Sequence, residues 1–144
     1  MVEEIAAKAP EVEQKEQKTT KKTKKGKRIV QSGEVHIQAT FNNTVISVTD
    51  KKGEVLTASS AGANGFRGSK KGTAYAAQVA AEKVASVAKQ EHGMNSIDVF
   101  VKGIGLGRDS AVRAMSSQGI SINSITDKTP IPHGGVRPKG ERKP

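Results

Sequence analysis

The chain has 144 residues, with 24 Lys and Arg against 14 Asp and Glu, a net charge of +10 and no cysteine. That length suits one domain with tails, the missing cysteine excludes disulfides and thiolate chemistry, and the positive excess favours a polyanionic partner, nucleic acid before anionic membrane. His36, His92 and His133 have no metal-ligand spacing, no apolar run approaches the ~20 residues of a membrane span, and the acid-rich start MVEEIAAKAPEVEQKEQ lacks the apolar core of a signal peptide. A soluble, cytoplasmic protein with no metal, cofactor or membrane partner is expected.

The charge gathers at the ends. Residues 1–32 hold nine cations and five acids, residues 33–127 ten and eight, and residues 128–144 five and one. Residues 1–32 are poor in large apolar side chains and predict a charged extension, disordered in isolation. Within it, Lys21, Lys22, Lys24, Lys25, Lys27 and Arg28 place six cations in eight residues. A solvated tail is the plain reading, and contact with a polyanion is the favoured one.

Order is expected from Gly33. Glu34–Thr40 alternates Val35, Ile37 and Ala39 with polar residues, as a half-buried strand does. Asn42 and Asn43 lie in a turn and offer amide hydrogen bonds at a hairpin tip. Thr44–Asp50 is β-branched on both faces, which suits a strand inside a sheet, and Glu54–Ser60 reads as a third strand. These three make an antiparallel meander. The glycine-rich segment Ala61–Thr73 follows, with Phe66 beside Arg67, Lys70 and Lys71. An aromatic among cations can stack on a base while its neighbours hold phosphates, or it can anchor the loop on the core.

A helix is predicted after Thr73, its cap, with Ala76, Val79, Ala80, Val84, Val87 and Ala88 on the buried face and Gly93 at its end. Ser96–Gly103 reads as a fourth strand with Ile97, Val99 and Val101 facing inward. A second helix, Arg108–Gly119, turns Ala111, Ala114 and Met115 inward, and Ile120–Asp127 forms a fifth strand parallel to the fourth across a right-handed crossover. The result is a mixed five-stranded α/β domain over residues 33–127. Residues 128–144 form an extended basic tail with Lys128, His133, Arg137, Lys139, Arg142 and Lys143.

VKGIGLGRDS, between the fourth strand and second helix, resembles a phosphate cradle. The dinucleotide fingerprint fails because Arg108 stands where its last glycine belongs and no second mononucleotide half exists. Two readings remain. Gly103, Gly105 and Gly107 can simply permit a tight turn. They can also admit a nucleic-acid phosphate to the helix start, with Arg108 and Arg113 adding charge. A ribonuclease-H-like nuclease would need carboxylates converging on metal ions. Glu34, Asp50 and Asp98 do not occupy a central inward register, so no enzyme and no metal site is expected.

TFNNTVISVTD, SSAGANGFRGSKKGTAYAAQVAAE, DVFVKGIGLGRDSAVRA and GISINSITDKTPIPHGGVRP stand in this order between about residues 33 and 138. In these motifs the chain resembles the bacterial form of the family of ribosomal protein eleven of the small subunit. The resemblance implies a three-layer, ribonuclease-H-like sheet without catalytic activity, flanked by disordered basic tails. It implies binding and bridging of ribosomal RNA helices on the small-subunit platform, beside the cleft where messenger RNA pairs upstream of the start codon. Small-subunit proteins seven and eighteen are the implied protein partners, with initiation factor three nearby, and no homo-oligomer is implied. A free-standing RNA-binding regulator is the alternative. Residues 1–20 exceed the family's usual short basic start, Gly134-Gly135 replaces Asn-Gly, Glu141 interrupts the terminal cations, and Gly72-Thr73-Ala74-Tyr75 replaces Ser-Thr-Pro-Phe.

Overall fold

The computed structural model describes residues 27–143. Lys21, Lys22, Lys24 and Lys25, with most of the expected N-terminal extension, lie outside the described residues. The strands are β1 (Ser32–Ala39), β2 (Thr44–Asp50), β3 (Val55–Ser60), β4 (Ser96–Lys102) and β5 (Ser121–Asp127), and the helices are α1 (Ala74–His92) and α2 (Gly107–Ser117). The sheet order is β3-β2-β1-β4-β5. β1 pairs antiparallel with β2 and parallel with β4, and β5 runs parallel to β4.

The alternation in β1 settles its orientation. Val35, Ile37 and Ala39 are buried, while Glu34, His36 and Gln38 face outward. β4 repeats the pattern with Ile97, Val99 and Val101 inward, in register with Gly33, Val35 and Ile37. β1 begins two residues before the expected Glu34, because Ser32 already pairs with Ser96. β2 lies inside the sheet as its composition suggests, although Val45 on its outer side is exposed.

Thr73 caps α1 by accepting the Ala76 amide at 3.3 Å, and Gly93 ends it at φ 63°, donating to Ala88. The buried stripe is rotated from the expected one. Ala77, Ala81 and Ala85 are buried beside Ala76, Ala80, Val84 and Ala88, whereas Val79 and Val87 are half-buried. The cause is a second neighbour. The α1 stripe meets both the sheet and α2, so it must be broader than a stripe facing one surface. α2 turns Ala111, Ala114 and Met115 inward, as expected.

The two helices start at the same end of the sheet and run side by side. Gly107 lies against Ala77, and the Lys89 ammonium donates to the Gln118 carbonyl at 3.1 Å near their far ends. Both pack on the face lined by Val35, Ile37, Ile46, Val48, Ile97 and Val99. The described residues therefore form two layers, where the resemblance implied three. The other face carries Glu34, His36, Gln38, Ser47, Asp98, Phe100 and Lys102, and no helix of the described residues covers it. Small alanine side chains let backbones approach closely, so a modest number of large residues suffices to fill the core.

Candidate nucleic-acid interface

Strand directions decide where the loops go. β1, β3, β4 and β5 all end at one edge of the sheet, and β2 begins there. The Asn42-Asn43 turn, the segment Ala61–Thr73, the glycine loop and the start of the tail therefore share that edge. Close packing holds them together. A Cβ on Gly72 would come closer than 3 Å to the Phe41 carbonyl, and one on Gly105 would do the same at Thr40.

In the first turn, Thr40 Oγ1 accepts the Asn43 amide at 3.1 Å and donates to the Asn43 carbonyl at 3.0 Å. Asn43 Oδ1 accepts the Thr44 amide at 2.9 Å, so this side chain shapes the turn, while Asn42 stands exposed. The second segment folds as two short 3-10 turns, Gly62–Asn64 and Gly68–Gly72. Arg67 donates to the Gly62 carbonyl at 2.9 Å. Lys70 and Lys71 close the second turn, Lys70 fully exposed and Lys71 half-buried. Phe66 meets Tyr75 edge-on, with ring centroids 5.8 Å apart, and is half-buried. That contact accounts for Phe66 as an anchor between its loop and the start of α1.

The glycine loop has a clear internal cause. Gly103, Gly105 and Gly107 each lie where a Cβ would approach closer than 3 Å to the β1 end, to Thr40 and to Thr44 with Ala77, respectively. Only glycine lets β4 turn into α2 this close to β1. Arg108 donates to the Gly103 carbonyl at 2.9 Å and to Asp127 at 2.6 Å. Thr129 donates to Asp127 at 2.5 Å and accepts the Gly103 amide at 3.1 Å. Thr129 first, then Arg108, holds the Asp127 carboxyl well below the usual carboxylate range. Arg108 thus closes the loop on the tail start, where the sequence suggested a phosphate contact. Asp109 further fills the first turn of α2 with negative charge.

Other expected cations lie elsewhere. Lys27 pairs with Glu91 at 2.7 Å, which lowers the Glu91 carboxyl pKa, and Arg28 pairs with Glu54 and, at 3.7 Å, with Asp50. The Arg28 carbonyl meets His92 Nδ1 at 2.7 Å, and Val30 donates to the His92 carbonyl. This arm docks at the opposite edge of the sheet, where Lys27 and Arg28 form exposed ion pairs with these acids. Arg113 is exposed along α2. Lys128 lies 3.9 Å over the Phe100 ring, and His133, Arg137, Lys139, Arg142 and Lys143 are exposed along the tail.

Sequence reasoning missed Lys102, Phe41 and Ile104, all exposed at the loop edge. Lys102 was legible from parity alone, since it alternates with inward Val101 at the end of β4. On the open face, His36 stacks on Phe100 with centroids 5.4 Å apart. Glu34 and Asp98 are register partners there, Asp98 accepting from Ser124 at 2.9 Å. Among the described residues no three His, Asp or Glu side chains meet as metal ligands.

Residues 33–143 match the family model for ribosomal protein S11. The chain belongs to the ribosomal protein S11 family. It is similar to the small ribosomal subunit protein uS11 of Alteromonas mediterranea, 53% identical over 81% of this chain and 89% of the relative. The uS11 proteins of Dichelobacter nodosus and Methylococcus capsulatus are 51% and 53% identical, over 88% and 91% of their lengths. The S11 family consists of structural ribosomal components rather than enzymes, so the nuclease alternative falls. Among the described residues no helix is long and apolar enough to cross a membrane.

Proposed function

We propose that the chain is a structural constituent of the small ribosomal subunit in the cytoplasm. Its loop edge binds and bridges ribosomal RNA helices on the platform and lines the cleft for messenger RNA. The convergence of three loops and the basic tail on one sheet edge supports this reading, with the acid-paired arm at the other edge. A rigid sheet fixes the spacing between cations, which is what joining two RNA helices requires, and phosphate neutralisation supplies the affinity. Asn42, Arg67, Lys70, Lys71, Lys128, His133, Arg137, Lys139, Arg142 and Lys143 are the proposed contacts at this edge. Lys21, Lys22, Lys24, Lys25 and Arg113 are proposed as further contacts. Gly103, Gly105 and Gly107 shape the loop, and Arg108 fixes it. Small-subunit proteins seven and eighteen and initiation factor three are the proposed protein neighbours.

Cosedimentation with small subunits through a high-salt gradient, with the chain expressed in its own cell, tests the reading. The chain is expected to travel with the subunit. Recovery at the top of the gradient overturns it and favours a free-standing RNA-binding regulator. Lys70→Gln is expected to reduce the salt slope of ribosomal RNA binding by about one.

A further inference from the structure

The open sheet face ends in a pocket that the loop contacts do not explain. It lies at the carboxyl ends of β1 and β4, with a volume of about 430 Å³, and Gln38, Phe41, Lys102, Ile104, Thr129 and Pro130 are among its lining residues. Here the chain leaves β1 toward β2 on one side, and leaves β4 toward β5 on the other. Diverging connections beyond parallel strand ends leave a crevice, the usual ligand position in open α/β sheets. The volume falls in the range of small-molecule sites.

The pocket's chemistry is specific. Phe41 and Ile104, both lining the pocket, are 76% and 67% exposed. Gln38 is exposed at the rim and carries both a donor and an acceptor. Lys102 flanks it, and Lys128 precedes the lining Thr129. The nearby carboxylate, Asp127, is already held by Arg108 and Thr129. Glu34 and Asp98 lie four residues down their strands, about 13 Å away at the usual rise. The rim is therefore cationic around apolar walls.

We infer that this pocket receives one unstacked nucleobase of a bound RNA strand. Phe41 and Ile104 contact the base faces, Gln38 hydrogen-bonds a base edge, and Lys102 and Lys128 hold the flanking phosphates. An apolar protein side chain would match the walls and leave the Lys102 ammonium at the rim unused. The inference rests on the RNA-binding reading above and adds a base-specific component to a phosphate-driven one.

The test compares two polyanions on the full-length chain by fluorescence anisotropy at fixed salt. One is a labelled single-stranded RNA of twelve or so mixed nucleotides, and the other is inorganic polyphosphate of matched charge, which has no bases. Phe41→Ala is expected to weaken RNA binding roughly five- to a hundredfold, the loss of a base stack, and Gln38→Ala roughly two- to tenfold, the loss of one hydrogen bond; both are expected to leave polyphosphate binding within about twofold. Lys102→Gln is expected to weaken both. Equal loss on both probes, or no loss of RNA binding in Phe41→Ala, overturns the inference. A photoreactive benzoylphenylalanine at position 41 in assembled subunits is expected to cross-link RNA, and cross-links to protein alone overturn it. Failure of the chain to enter subunits defeats the function reading. Entry together with base-blind binding in Phe41→Ala defeats only the pocket.

Discussion

Gly103→Ala separates the two explanations for the glycine loop. Gly103 has φ +91°, and a Cβ there would run into the Ala39 backbone, with the carbonyl carbon at 3.2 Å and its oxygen closer still. A side chain in that conformation costs ~1–2 kcal/mol. Forcing β1 and β4 apart adds ~1–3 kcal/mol, for a total of about 2–5 kcal/mol. Gly53 is the control, since it has φ +93° and nothing within 4 Å of where a Cβ would stand. Gly53→Ala should therefore show only the conformational part. For a domain of this size roughly 4 °C of melting temperature corresponds to 1 kcal/mol. Thermal unfolding followed by circular dichroism should then drop by about 8–20 °C for Gly103→Ala and about 4–8 °C for Gly53→Ala. Polyphosphate affinity of folded Gly103→Ala, measured well below its transition, should stay within about twofold of the parent, because a polyanion without bases does not read the pocket that Gly103 helps to line. Equal melting temperatures for the two variants would refute the packing argument. A stable Gly103→Ala with weakened polyphosphate binding would restore phosphate approach as the reason for the glycine.

Thr73→Ala removes the α1 cap and should cost about 1 kcal/mol, read as a lower melting temperature, with faster amide exchange around Lys70, whose carbonyl accepts from the Thr73 hydroxyl at 2.8 Å. Ala81→Leu should cost ~1–3 kcal/mol, because Ala81 is fully buried, while Gln90→Leu on the exposed side should be near neutral. Asp127 has a depressed carboxyl pKa; its contribution to stability is present above the unfolded value of about 3.9 and is lost only as pH falls through the lower folded value. Its carboxyl carbon should therefore not titrate between about pH 5 and pH 3 by NMR, and a midpoint near 4 would contradict the Thr129 and Arg108 contacts. Arg108→Ala should move that midpoint upward.

All five strands and both helices were legible because period-2 and period-3.6 patterns dominate the central residues. Val35, Ile37 and Ala39, or Ile97, Val99 and Val101, can face only one way. The layer count was not legible. An alanine stripe looks the same whether a helix meets a sheet alone or a sheet and another helix. Only the rotation toward Ala77, Ala81 and Ala85 reveals α2 as a second neighbour. The fates of Lys27 and Arg28 were hidden for a related reason. Their partners Glu91, Asp50 and Glu54 are distant in sequence, so nothing in the charge run itself marks its last two cations as paired with acids across the sheet edge.

The glycine loop shows why a phosphate-cradle pattern is a weak guide to phosphate. Backbone approach is the shared requirement, and the pattern does not say what approaches. In VKGIGLGRDS the approaching backbone is the chain's own, at Ala39 and Thr40. The cation that would complete an anion site is spent on Asp127, and Asp109 opposes an anion at the helix start. The residues that alternate with the glycines behave differently. Ile104 and Leu106 are 67% and 72% exposed, so the tight turn pushes apolar side chains outward where a soluble surface would hold polar ones. Ile104 borders the pocket at the β1 and β4 ends. Packing therefore accounts for the glycines, and the unexplained feature of the loop shifts to the side chains between them. On the proposed reading, RNA recognition at this edge depends on apolar contacts beside Lys102 and Lys128 as well as on the cations.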